Sequence, residues 1–146
     1  MSDPSKYRRF AMLARSELKQ LSEGGMHVGA HTLSHPVLSE STIESAWAEI
    51  VESKTALEGV LGKVVWALAY PFGDAASVTK RELALAERAK YQCAFLNCGG
   101  RWGAETSRFS IPRIHVGAGM TMGEFEAHLS GFHDSLRAWW DGSQSV

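Results

Sequence analysis

Apolar residues along the chain fall into two kinds of stretch, one with helical spacing and one nearly continuous. Helical spacing predicts four helices, over residues 12–23, 42–61, 78–90 and 121–140. The second is the longest, and a Ser41–Glu44 capping box and Gly62 mark its two ends. Its predicted apolar face is made of Ile43, Trp47, Ile50, Val51, Leu57 and Leu61.

The nearly continuous apolar stretches predict short strands between these helices. They lie at residues 26–30, 63–69, 92–96 and 113–116. Helices that alternate with strands are typical of an α/β protein with a parallel sheet. Because functional residues of such folds collect where the strands end, we expect the chemistry in the loops that follow the strands.

Composition indicates one soluble domain and excludes some function classes. The 146 residues are 45% hydrophobic with a formal net charge of -1, which gives no broad field toward nucleic acid or anionic membrane. No apolar run is long enough to span a bilayer, and no signal peptide follows the basic N-terminus. We expect a single domain over 1–146 with flexible ends at 1–11 and 141–146. The chain is expected in the cytoplasm unless an export signal lies outside this sequence.

Two histidines four residues apart are the first candidates for chemistry. His31 and His35 directly follow the predicted strand 26–30, and Pro36 follows the second histidine. Neutral imidazole is a good zinc ligand, and one helical turn would bring the two rings together. Taken alone, this spacing also fits ordinary surface histidines in a loop.

A second candidate segment is the loop after the strand 63–69. Tyr70, Pro71 and Phe72, with Trp102 from a later loop, are candidate sugar-binding residues because apolar sugar faces stack on aromatic rings. Packing at the mouth of the fold explains Tyr70 and Phe72 equally well. For Asp74, capping of the following helix is favoured over a polar rim.

Four stretches of the sequence together resemble one enzyme family. GAHTLSHPVL (29–38), EIVESKTALEGVLG (49–62), ALAYPFGD (67–74) and SIPRIHV (110–116) are similar to motifs of the polysaccharide deacetylases of carbohydrate esterase family 4. The resemblance implies a distorted (β/α) barrel that hydrolyses N- or O-acetyl groups on a polysaccharide or oligosaccharide. It also implies a divalent metal, commonly zinc, held by one Asp and two His, and it assigns His31 and His35 as the two imidazole ligands.

One motif of that family is not found before His31. The family's T-F-D-D motif supplies the catalytic base and the acidic ligand, yet the only Asp before His31 is Asp3. We therefore expect a barrel that is incomplete on its N-terminal side and a chain whose activity is impaired on its own. A partner chain or a second copy would cover the open sheet edges, or the sheet would rearrange into a smaller one. The alternative is a non-catalytic carbohydrate-binding or regulatory relic of the family.

The family's late L-x-H motif, whose histidine acts as general acid, has two weak matches. His115 follows a predicted strand, and His133 lies in a predicted helix. His115 is the catalytic candidate, while a solvated or structurally satisfied histidine remains the alternative for both.

Overall fold

A computed structural model describes residues 12–100 and 102–132 of the chain. In chain order the elements are α1 (Arg15–Glu23), a 3-10 helix (Leu38–Glu40), α2 (Ile43–Leu61), β1 (Ala67–Ala69), α3 (Lys80–Arg88), β2 (Cys93–Phe95) and α4 (Met122–Ser130). All four predicted helices are present in the described range. Helix α2 matches its predicted length to within one residue, and the other three are shorter than predicted. Residues 133–140 of the last predicted helix, and both predicted flexible ends, lie outside the described residues.

The sheet is parallel, as predicted for an α/β protein. β1 and β2 pair in register, with Leu68 opposite Ala94. Ala30 forms a parallel bridge to Leu68 on the other side of β1, and Ile111 forms one to Phe95 on the other side of β2. Four parallel chain segments therefore lie side by side, and their carboxyl ends share one edge.

The two outer strands were predicted wrongly in different ways. Of residues 26–30 only Ala30 pairs, whereas the last bridge is made by Ile111, which lies before the predicted strand 113–116. In the first segment, the N–H of Met26 donates to Leu21 O at the end of α1 rather than to a strand. Pro112 follows Ile111 and has no N–H to extend the second ladder. The predicted strand 26–30 is therefore reduced to a single bridge, and the predicted strand 113–116 does not form, since the bridge lies at Ile111 instead.

Helix α2 begins one residue later than predicted. Thr42 is its N-cap and accepts a hydrogen bond from the N–H of Ser45, whereas the Ser41 hydroxyl donates to Val37 O. Ile43 is 52% exposed, so it does not belong to the apolar face. The buried face of α2 consists of Ala46, Ile50, Ser53 and Leu61.

Helix α3 starts with a capping box whose carboxylate is fully buried. Glu82 is 0% exposed and accepts hydrogen bonds from the N–H and the hydroxyl of Thr79, both at 2.7 Å. Arg81 Nε donates to the same carboxylate at 2.6 Å, and Arg81 Nη2 donates to Leu38 O. Arg81, which is held by Glu82, thus links the start of α3 to the 3-10 helix.

Helix α4 ends at Ser130, where Gly131 adopts a left-handed conformation with φ of 74°. Within the described residues, no helix is both long enough and apolar enough to cross a bilayer.

Replacing Glu82 by Gln is expected to lower the free energy of unfolding by about 1–2 kcal/mol at pH 7, because charge-assisted hydrogen bonds are lost at a buried position. Burial raises the pKa of Glu82, but hydrogen bonds from Thr79 and Arg81 and the charge of Arg81 outweigh it and hold the pKa below its usual range. Such a carboxylate stabilises the fold fully above its unfolded pKa of about 4.3 and loses that contribution as pH falls through the folded pKa.

The stability gap between wild type and Glu82→Gln should therefore narrow as urea titrations are moved from pH 7 to pH 3. Glu87→Gln, at an exposed position of the same helix, is the control and should change little at any pH. A gap that stays constant over this range would contradict the role given to the Glu82 charge.

Candidate functional site

The first histidine is fixed by the sheet. The N–H of Ala30 donates to Ala67 O, and the N–H of Ala69 donates to Ala30 O, so His31 leaves the sheet beside the end of β1. The Nδ1 atom of His31 lies 2.7 Å from Ala69 O. Because a carbonyl oxygen can only accept, Nδ1 must carry the proton. The Nε2 lone pair of a neutral ring is then free to bind a metal, and this kind of backbone contact typically orients metal-binding histidines.

The second histidine is placed by a tight turn. Thr32 and His35 both have positive φ, 64° and 59°, which is uncommon for residues with a side chain. The Thr32 hydroxyl donates to His31 O at 2.6 Å and accepts from the N–H of His35 at 3.2 Å. The turn brings the two imidazole rings to a centroid separation of 4.9 Å at 76°.

The spacing of the two rings fits a shared metal ion. With zinc–nitrogen distances of about 2.0 Å, two imidazoles on one tetrahedral ion have ring centres about 5 Å apart. Both side chains are exposed, so an ion could reach them. In the described part of the chain, however, no third His, Cys, Asp or Glu joins the pair into a group of three. The residues present therefore fit two ligands of a metal site and not the whole set.

Glu49 of α2 binds the turn that carries the two histidines. The sequence analysis did not predict Glu49 as a site residue. Its Oε2 accepts from the N–H groups of Leu33 at 2.7 Å and Ser34 at 2.9 Å, and its Oε1 accepts from the Ser34 hydroxyl at 2.5 Å. One signal could have revealed it. Glu49 falls between Ala46 and Ser53 at helical spacing, so it is a carboxylate beside the apolar face that needs a partner.

The hydrogen bonds also keep Glu49 ionised. Desolvation raises the pKa of Glu49, but the bonds from Ser34 and Leu33 outweigh it and leave the pKa below its ordinary value. The carboxylate is therefore an anion at neutral pH.

The loop after β1 brings one of its two aromatic residues to the histidines. Phe72 is 49% exposed, has a φ of 60°, and its ring lies 4.9 Å from that of His35. Tyr70 is 0% exposed and donates its hydroxyl to Phe109 O at 3.1 Å. Burial and the negative charge of Glu82 raise the pKa of Tyr70.

The burial of Tyr70 and Pro71 corrects their assignment as substrate-binding residues. Both side chains are fully buried and offer no surface to a sugar. Of the three neighbouring candidates, only Phe72 remains accessible beside the histidines.

Trp102 and His115 are the remaining predicted site residues that the structure describes. Trp102 is 63% exposed, and His115 is exposed and lines a separate recess with Met120. Among the described residues, no ring contact joins Trp102 or His115 to the histidine pair. His133 lies outside the described residues.

Asp74 closes a turn and does not cap α3. Its Oδ1 accepts from the N–H groups of Ala76 and Ser77, whereas Thr79 is the N-cap. The prediction that Asp74 caps the helix is therefore wrong, because the N-cap lies five residues later at Thr79. Asp74 instead stabilises the turn that ends the Phe72 loop.

A partly open cavity of about 310 Å³ adjoins His31. Its walls are largely apolar, with His27, Trp66, Leu68 and Phe95 among the lining residues. The candidate site therefore combines exposed imidazoles, one exposed aromatic ring and an apolar recess.

The comparisons with known proteins decide the family. A sequence model described as polysaccharide deacetylase matches residues 6–94, a span that holds both histidines and the Phe72 loop. The chain belongs to the polysaccharide deacetylase family. A curated relative, the Bacillus subtilis protein YxkH, assigned by name to the polysaccharide deacetylases, is 22% identical over 117 residues, which is 80% of this chain and 41% of YxkH.

Solved deacetylase structures share the fold. BC0361, a polysaccharide deacetylase from Bacillus cereus, is 27% identical, with a TM-score of 0.68 over 81% of this chain and 37% of its own. The Streptococcus pyogenes deacetylase PplD, solved with acetate, is 24% identical, with a TM-score of 0.73 over 84% of this chain and 53% of its own. This deacetylase-family chain thus spans about half or less of the length of these relatives.

Gly73 is expected to be essential to the loop that carries Phe72. It has a φ of 70°, and a Cβ there would lie 2.4 Å from the backbone nitrogen of Asn97. Gly73→Ala should therefore lower the free energy of unfolding by about 2 kcal/mol or more in urea titrations. Gly59→Ala, in open space on α2, is the control and should be neutral or slightly stabilising. Equal stabilities for the two variants would contradict this account.

Proposed function

We propose that this chain carries the two-histidine part of the metal site of a polysaccharide deacetylase, a hydrolase that removes N- or O-acetyl groups from a polysaccharide or oligosaccharide. Zinc is the divalent ion we expect. The observation that carries the proposal is the arrangement of His31 and His35, whose rings lie 4.9 Å apart inside the family-matched span. The contact between His31 Nδ1 and the carbonyl of Ala69 supports the proposal. Because Nδ1 carries the proton, Nε2 is the nitrogen with the lone pair for a metal.

Each residue of the site has a proposed task. A bound divalent ion would polarise the acetyl carbonyl and lower the pKa of a water molecule. His31 and His35 would hold that ion through neutral imidazole nitrogens. Phe72 offers an exposed ring against which the apolar face of a sugar could pack, and Trp102 is a second exposed aromatic candidate. His115 stays a prediction as the general acid.

The described residues supply only part of the catalytic set. Catalytic zinc sites have three protein ligands, and deprotonation of the water needs a base. In this sequence the only Asp before His31 is Asp3, which lies outside the described residues. We therefore propose that the chain on its own binds zinc more weakly than a three-ligand site and turns over little substrate.

The sheet supports a related proposal about assembly. The four parallel segments would form an arc of the (β/α) barrel that the family resemblance implies. Ala30 and Ile111 each contribute a single bridge at the outer sides of this arc. Further strands, from a partner chain or a second copy, would pair with these edges.

Zinc binding is the first test of this proposal. Wild-type protein should bind zinc in a chelator competition, and His31→Ala and His35→Ala should each weaken the affinity about 100-fold or more, because one of two ligands is lost. His115→Ala, which removes an imidazole away from the pair, should stay within about twofold of wild type. Wild-type protein without metal above background would overturn the proposal and favour the non-catalytic alternative.

A second measurement tests the proposed impairment. Zinc-loaded wild-type chain, purified as a monomer, should release little acetate from acetylated chito-oligosaccharides, since the base and the acidic ligand are not among the residues beside the pair. The His31→Ala variant, assayed in the same zinc-containing buffer, sets the background. Substantial acetate release that is lost in His31→Ala would contradict the impairment while supporting the metal site.

A further inference from the structure

The two histidines are held by different means. His31 is fixed twice, by the backbone pairing of Ala30 with β1 and by the contact of its own ring with Ala69 O. His35 comes four residues later, and its backbone N–H is bound only within the turn, by the Thr32 hydroxyl. The position of His35 relative to His31 therefore depends on the conformation of residues 32–35.

That turn is costly to form on its own. Its two positive-φ residues, Thr32 and His35, have a backbone conformation that is strained for residues with a side chain, so surrounding contacts must hold them in place. The two intervening N–H groups, of Leu33 and Ser34, point to one oxygen atom. Successive N–H groups in a turn form a concave site that favours an anion.

Glu49 provides that anion from a rigid element. It lies on α2 between Ala46 and Ile50, which are both 0% exposed, so its backbone is fixed in the core. Its carboxylate accepts three hydrogen bonds from the turn, and all three come from Leu33 and Ser34. None of these bonds uses an atom of either histidine.

We propose that Glu49 is a positioning residue, which fixes the turn between His31 and His35 and thereby sets the spacing of the two imidazoles for a divalent metal. This inference rests on the proposed function, since it assigns Glu49 to the same site. Without the carboxylate, Leu33 and Ser34 lose their shared acceptor, the strained residues relax, and His35 moves away from the geometry that a common ion needs. Outer contacts of this kind typically change metal affinity by about 10–100-fold.

The test compares zinc affinity and turn conformation in the full chain. Glu49→Ala should weaken zinc binding about 10–100-fold in a chelator competition. In the metal-free protein, NMR signals of the Leu33 and Ser34 amides should shift, and couplings across the N–H and Hα of Thr32 and His35 should lose their positive-φ values. Glu49→Gln keeps the shape and removes the charge, so it should fall between Glu49→Ala and wild type.

Two controls separate positioning from general stability and charge. Glu52→Gln removes an exposed charge on the same helix, and Ile50→Val loosens the core beside Glu49. Both should bind zinc within about twofold of wild type, even though Ile50→Val lowers the free energy of unfolding. If Ile50→Val weakened zinc binding as much as Glu49→Ala does, the effect would be one of stability and the inference would fall.

The outcomes also separate this inference from the proposed function. Wild-type zinc affinity in Glu49→Ala, together with shifted Leu33 and Ser34 amides, would overturn the positioning role and leave the metal site standing. A wild-type chain that binds no zinc would overturn the proposed function, and the role of Glu49 toward a metal with it. The amide signals would then still show whether Glu49 holds the turn.

Discussion

The pair of backbone hydrogen bonds between Ala30 and β1 is the contact on which the candidate site depends. It aligns the chain parallel to β1, so the segments that follow Ala30 and Ala69 leave the sheet at the same edge. His31 therefore meets the carbonyl of Ala69, and the loop after β1 delivers Phe72 to His35. A slip of one residue would turn the His31 side chain to the opposite face of the sheet.

Carboxylates from α2 and α3 stabilise segments that follow the sheet and have no strand partner. Glu49 binds the two central N–H groups of the histidine turn, and Glu82 binds Thr79 and Arg81 at the start of α3. In the histidine turn one carboxylate satisfies two backbone donors, and at the start of α3 one carboxylate satisfies one backbone donor and two side-chain donors. Local backbone strain at Thr32, His35 and Phe72 is thus tolerated where packed elements surround it.

Sequence patterns predicted the order of the elements and the neighbourhood of the site better than its details. Alternating helices and strands gave the parallel α/β sheet, and the two motifs around His31 and Phe72 pointed to the family that the comparison shows. Strand lengths failed because a pairing partner, and not local propensity, decides how far a strand extends. Tyr70 and Phe72 could not be separated, since two aromatics in one loop differ only in the direction they face. Glu49 was missed because its partners lie fifteen and sixteen residues earlier.

The same features order the proposed ligand pair, His31 and His35, before any metal binds. When two ligand side chains become ordered only as the metal binds, the free energy of ordering them lowers the affinity for the metal. Here the sheet orders His31, and a turn stabilised by an anion from α2 orders His35, so ordering takes place when the chain folds. Under the proposed function, further ligands would meet imidazoles that are already arranged. Preorganisation of this kind would raise the affinity of the proposed site, because ordering of the two imidazoles would not have to accompany metal binding.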